Sequence, residues 1–282
     1  MQGESFISDD PGTVLESYVG PAQALQRGIA ASGMAASPVA AARPVPAALE
    51  EVAYRSPYRW TAPRLLICED GTLEQGELVY VRAEKIVIGR TKGDVVIGHD
   101  VAMSASHAEI ARLDCGGKHA WVLRDLGSSN GTLARVRSVT LKPGLVLQLG
   151  SRRYRFEPAA FATTAAQHAA EPRTVMLSDP QNVPVDALPA LVDSTGDGKP
   201  PAVRMPFRST RLTIGRPGQG NDLEIDDLCL ARTHAVVSRD ASGMWQLEAQ
   251  PSINGVWVKI EAIRLTDQCH FQCGEQRFRF QA

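Results

Sequence analysis

The chain has 282 residues, with 30 Lys and Arg against 31 Asp and Glu and a formal charge of -1, which excludes a global basic field for gathering nucleic acid or anionic lipid. Its length suits two cores of ordinary size. The N-terminus opens on Glu4, Asp9 and Asp10, and Pro38, Pro44 and Pro46 interrupt the Ala-rich stretch that follows, so neither a secretory signal nor a membrane span is expected.

In chain order, residues 1–60 are rich in Ala, Pro, Gly and Ser and poor in aromatics, and they read as a disordered tail. One apolar piece within it, Val14 to Leu25, has weak helical potential. Residues 61–158 change to short β-rich runs separated by Gly, Asp, Asn and Ser: Leu65 to Cys68, Lys85 to Ile88, Ala120 to Leu123 and Tyr154 to Phe156. Residues 159–184, with Ala165, Ala166, Pro172 and Pro180, read as a flexible linker. Residues 185–282 return to β-rich runs at Ala190 to Val192, Leu212 to Ile214, Ala235 to Val237, Trp245 to Leu247 and Phe278 to Phe280. The fold class is all-β, of sandwich type. The five cysteines, Cys68, Cys115, Cys229, Cys269 and Cys273, lack the paired spacing of a zinc site and read as small buried residues in a reducing compartment.

The two β-rich segments repeat one another. Ile88-Gly89-Arg90 recurs as Ile214-Gly215-Arg216, His107-Ala108 as His234-Ala235, Asn130-Gly131 as Asn254-Gly255, and Tyr154-Arg155-Phe156 as Phe278-Arg279-Phe280. The order is kept and the offset stays close to 125 residues, which implies one fold used twice.

In the first copy the marked residues are Gly89-Arg90, then Ser104-Ala105-Ser106-His107, then the run Asp125 to Thr132 that reads DLGSSNGT. All stand at strand ends or in turns, where a rigid sandwich presents functional side chains. This three-part signature resembles the forkhead-associated (FHA) domain family over about Ala62 to Glu157 and, more loosely, over Asp186 to Ala282. The resemblance implies two FHA-type (SMAD/FHA-like) β-sandwiches in tandem, the second degenerate, and phosphothreonine recognition without catalysis. Arg90 is expected to offer a guanidinium fork to the phosphate, where charge-assisted bonds are about twice as strong as neutral ones. Ser104 adds a hydroxyl, Ser129 holds the phosphate or the turn, and the Asn130 amide pairs with the peptide backbone. His107 and Gly89 are expected to brace the site, Gly131 to supply a special backbone conformation, Thr132 to re-enter a strand, and Asp125 to cap the turn.

Two departures bear on affinity. Family members often carry Arg after the phosphate-binding Ser, and here Ala105 stands there, with Arg124 or Arg135 as the candidate compensating cation. The second copy keeps Arg216, Arg232, His234 and Asn254, but Ala231 takes the Ser position, Pro251 replaces the Gly before the asparagine turn and Val256 replaces the Thr after it.

The expected function is therefore a non-enzymatic phosphothreonine-peptide adaptor in Ser/Thr kinase signalling, acting mainly through the first domain. Its partners are phosphothreonine proteins, a kinase or its substrate among them. The alternative is a phosphate-independent scaffold, as in a bacterial secretion or regulatory complex. A Ser104, His107 and Asp125 hydrolase triad is disfavoured because there is no G-x-S-x-G elbow. No cofactor, metal, nucleic acid or membrane insertion is expected, and a cytoplasmic setting is. Thr174 and Thr13 are candidate phosphorylation sites for self-binding, the former because an aliphatic residue follows three places on.

Overall fold

The computed structural model describes residues 14–15, 54, 62–116, 118–159, 187–195 and 203–282. Most of the expected tail and the expected linker lie outside these residues, as do Thr13 and Thr174. Within the tail, Val14–Leu15 form a short strand, β1, against Val136 and Ser138, where helical potential was expected.

The first copy contributes β2 (Arg64–Cys68), β3 (Gly76–Tyr80), β4 (Lys85–Gly89), β5 (Val95–Val96), β6 (Ala108–Cys115), β7 (Lys118–Asp125), β8 (Thr132–Thr140), β9 (Val146–Leu149) and β10 (Arg152–Glu157). The second contributes β11 (Ala190–Asp193), β12 (Arg204–Pro206), β13 (Arg211–Gly215), β14 (Leu223–Glu224), β15 (Thr233–Arg239), β16 (Trp245–Ala249), β17 (Val256–Ile260), β18 (Ala262–Leu265), β19 (Cys269–Cys273) and β20 (Gln276–Gln281). The β-rich runs read from the sequence all fall on strands. Their apolar residues alternate inward, as Leu212 and Ile214 do on β13.

Two sandwiches form, but neither is built from one copy. β7 pairs with β18, β2 with β20, and β19 with the start of β8, so the first sandwich joins residues 64–134 to the C-terminal strands of the second copy. Its core packs Ile88, Ile110 and Leu123 against Ile263, Phe271, Phe278 and Phe280. The other core packs Leu147, Leu149, Tyr154 and Phe156 of the first copy against Leu212, Ile214, Val237 and Leu247 of the second. Strand pairing thus crosses between the segments 61–158 and 185–282.

The cause is legible locally. From Thr132 to Thr140 the sequence TLARVRSVT contains no Gly, Pro, Asn or Asp, so nothing turns the chain back onto its own sandwich. β8 instead runs straight for nine residues, beginning beside β19 in one sandwich and ending beside β16 in the other. β17 crosses it antiparallel, from Val256 opposite Val136 to Ile260 opposite Thr132. The chain has thus exchanged equivalent strands between its own repeats, an intrachain form of domain swapping.

Three of the four described free cysteines, Cys68, Cys269 and Cys273, are buried as expected, and burial raises their thiols, Cys68 to about 11 and Cys269 to about 12. Cys229 is exposed, in the loop that precedes Ala231. Among the described residues, no helix is long and apolar enough to cross a membrane, and no group of three or more His, Cys, Asp or Glu side chains is placed to hold a metal.

Candidate functional site

The first site is assembled where β4 ends and two loops meet it. Gly89 is required because the loop after Ser104 crosses it closely: a Cβ there would stand 2.2 Å from the Ala105 carbonyl oxygen. The next residue, Arg90, donates its backbone N–H to the Ser104 carbonyl at 2.9 Å, and its Nη1 reaches the Val101 carbonyl at 3.3 Å. The Ser104 hydroxyl accepts the Ser129 backbone N–H at 3.0 Å, and the Asn130 Nδ2 donates to the Ala102 carbonyl at 2.7 Å. Arg90, Ser104, Ser129 and Asn130, far apart in sequence, are thereby brought to one rim. Arg90, Ser104 and Asn130 are half-buried and Ser129 is exposed, so their remaining polar valence faces solvent.

Beneath the rim, His107 is fully buried. Its Nδ1 accepts the Ser104 backbone N–H at 3.1 Å and its Nε2 meets the Gly131 carbonyl at 3.3 Å. An accepting Nδ1 leaves the proton on Nε2, which donates to that carbonyl. The neutral ring is therefore a bolt between the two loops, and burial holds its pKa below the ordinary histidine value. Asp125 organises the turn itself, accepting from the Gly127 and Ser128 N–H groups at 2.9 Å, from the Ser128 hydroxyl at 2.6 Å and from the Thr132 hydroxyl at 2.7 Å. Burial alone would raise this carboxyl, but the hydrogen bonds from Ser128 and Thr132 prevail and hold it low.

These contacts leave no relay of hydrolase type. Both ring nitrogens of His107 are taken by backbone atoms, and the Asp125 carboxylate is spent on its own turn.

The second site repeats the frame with different contents. His234 Nδ1 accepts from the Ala231 N–H at 3.2 Å and its Nε2 faces the Gly255 carbonyl at 2.9 Å. Asn254 Nδ2 donates to the Cys229 carbonyl at 2.9 Å, as Asn130 does to Ala102. Arg216 donates its N–H to the Arg232 carbonyl at 3.2 Å, and Arg232 is exposed. With Ala231 in place of Ser there is no hydroxyl to tie the two loops, and Ser252 closes its own turn by accepting the Gly255 N–H at 3.1 Å.

Strand exchange gives each turn a cation from the other copy. Arg135 is buried and donates from Nη2 to the carbonyls of Ser252 at 3.0 Å and Ile253 at 3.4 Å, under the second turn. It does not stand in for the missing arginine at Ala105, and Arg124 instead pairs with Glu109 at 3.1 Å. At the first turn the corresponding cation is Lys259, whose stem lies across Gly131, and Arg153 donates from Nη1 to the Asn130 carbonyl at 2.7 Å. Sequence reading passed over Lys259 and Arg153 because both lie outside the signature. Only the exchanged strands bring Lys259 there.

The exchanged copy also anchors the loops. Asp100 accepts the N–H groups of Glu275 and Gln276 at 2.8 and 3.0 Å as well as that of Ala102 at 2.9 Å. Asp227, its counterpart, accepts the Ser151 N–H and hydroxyl at 2.7 and 2.8 Å and the Cys229 N–H at 2.8 Å.

The FHA domain family model matches the chain twice, over residues 86–150 and 212–274. No curated protein matches it. Each match opens on the strand that ends in Gly-Arg and spans the buried histidine and the Asn-Gly turn. FHA domains are interaction modules, generally phosphothreonine-binding and not catalytic. Both matches lie on the same repeated geometry, so the chain carries two FHA domains in tandem, over residues 86–150 and 212–274.

Proposed function

We propose that the chain is a phosphothreonine-peptide adaptor whose working site is the rim formed by Arg90, Ser104, Ser129 and Asn130. The observation that carries this reading is the hydrogen bond from the Ser129 N–H to the Ser104 hydroxyl, at 3.0 Å, which joins the phosphate-facing loop to the asparagine turn. Arg90 supplies the charge, Ser104 and Ser129 supply hydrogen bonds to phosphate oxygens, and Asn130 fixes the peptide backbone. Binding adds no chemistry to the ligand, in keeping with the engaged His107 ring.

The second rim, with Arg216, Arg232 and Asn254, contributes less to phosphate binding, since Ala231 removes the hydroxyl that links its loops. This specific loss favours, for that rim alone, a second reading as a phosphate-independent contact surface. The biological setting of the proposal is cytoplasmic Ser/Thr kinase signalling, with a kinase or its substrate as partner. Phosphorylated Thr174 or Thr13 of the chain itself is a candidate ligand. The test is titration of phosphothreonine peptides, and their unphosphorylated forms, against the full chain and against Arg90→Ala and Arg216→Ala. Binding that depends on phosphate and on Arg90 supports the adaptor. Equal binding of both peptide forms supports the scaffold.

A further inference from the structure

A cleft of about 840 Å³ joins the inner flanks of the two rims. Ser129 and Asn130 line one part of it, and Cys229 and Asn254, from the other copy, line another. Its lining carries charges of both signs. Arg277, stacked 5.1 Å over the Trp257 ring, lies in the field of Asp70, and Glu69 and Glu275 also line the cleft. Two cations stand at the Asn130 turn. There Arg153 is bound to the Asn130 carbonyl, and the exposed Lys259 places its Nζ 3.0 Å from where a Gly131 Cβ would stand.

We propose that Lys259, at the Asn130 end of this cleft, forms a subsite for an acidic side chain of the bound phosphopeptide. The proposal rests on the reading of the Arg90 rim as the phosphothreonine site. With the phosphate on Arg90 and Ser104, the Asn130 amide holds the adjoining peptide backbone, and the side chain that enters the cleft falls beside Lys259. A carboxylate there pairs with the ammonium, whereas a Lys or Arg meets a like charge. Lys259 belongs to the second copy, so the selectivity of the first domain is written partly in the sequence of the other.

The experiment uses the full chain and phosphothreonine peptides in which each flanking position carries Glu, Ala or Lys in turn. At one position the wild-type chain favours Glu over Lys by about two- to fivefold, the range of a solvent-exposed ion pair. Lys259→Glu reverses that preference at the same position, and Lys259→Gln removes it. Both variants keep the wild-type Tm because the side chain is exposed. An unchanged Glu-to-Lys ratio in both variants, with binding still lost on Arg90→Ala, overturns the subsite and leaves the phosphate site standing. Undiminished binding in Arg90→Ala overturns the phosphate site and the subsite with it.

Discussion

Ala134 and Val258 face each other across the β8–β17 ladder, and they occupy the same place in the two repeats, 124 residues apart. Every surrounding pair obeys the same relation. Val136 opposite Val256 is matched by Ile260 opposite Thr132, and Ile263 opposite Leu123 by Val139 opposite Leu247. The ladder is centred on a pseudo-twofold axis, and that axis relates the two rims as well as the two cores.

Separate expression of residues 61–158 and 185–282 is expected to yield no cooperatively folding monomer. In the first piece, the face that receives Phe271, Phe278 and Phe280 is left bare, and burial of a large apolar side chain is worth about 1.5–3 kcal/mol. Circular dichroism melts with size-exclusion chromatography check this. A sharp melt from a monomeric half would show that each copy closes on itself.

Asp100 ties the loop that leads to Ser104 to the β19–β20 turn of the other copy through two backbone N–H groups. Asp100→Ala removes these bonds from a buried carboxylate and should lower unfolding stability by about 1.5–3 kcal/mol. It should also weaken phosphopeptide binding, because Ala102, whose carbonyl holds Asn130, loses its anchor. Urea denaturation and peptide titration on the same variant measure both effects.

The two turn glycines should differ in their tolerance of a side chain. Gly131 and Gly255 both have positive φ, +76° and +64°, so alanine at either position costs about 1–2 kcal/mol in backbone strain alone. At Gly131 the added methyl meets the flexible, exposed end of Lys259, which can move aside. At Gly255 it meets the Arg135 guanidinium, 2.2 Å from Nε, which is buried and held by two carbonyls. Gly255→Ala is therefore expected to be the more destabilising by at least about 1 kcal/mol, since it also disturbs a buried charge-assisted bond. Equal melting temperatures for the two variants would contradict this.

Acid should destabilise the protein before the carboxylates titrate. His107, His234 and His270 are all depressed below the ordinary value of 6.5 by burial, His270 to about 4 with help from Arg135 and Arg279. The unfolded chain then takes up protons that the folded chain resists. The stability these groups contribute is complete above about pH 6.5 and is lost as pH falls toward their folded values. The Tm should fall between pH 7 and pH 5, and phosphopeptide binding should weaken with it as protonated His107 can no longer accept the Ser104 N–H. A Tm that holds or rises over that interval would refute the assignment.

The rim was legible from sequence because its parts are local signals: Gly89 before Arg90, Ser104 three residues before His107, and Asn130 before Gly131. Each names a loop conformation as well as a side chain, and the repeat placed the second rim by analogy. The partition of strands was not read, because sequence offsets register equivalence between copies and are blind to which copy packs on which. Its trace was the unbroken run from Thr132 to Thr140, which lacks a turn residue where a compact unit needs one. For the same reason the charge of Arg135 is legible in the sequence, but its place under the second turn is not. Lys259 looked like an ordinary exposed strand residue.

The most direct test is calorimetric titration of a phosphothreonine peptide into the wild-type chain and into Arg90→Ala, with the unphosphorylated peptide as control. Loss of one charge-assisted contact costs about 1.5–3 kcal/mol, more than tenfold in affinity. The account predicts phosphate-dependent binding to the wild type that falls at least tenfold in the variant. Equal affinity for both peptides, or an Arg90→Ala variant that is folded and binds undiminished, would contradict it.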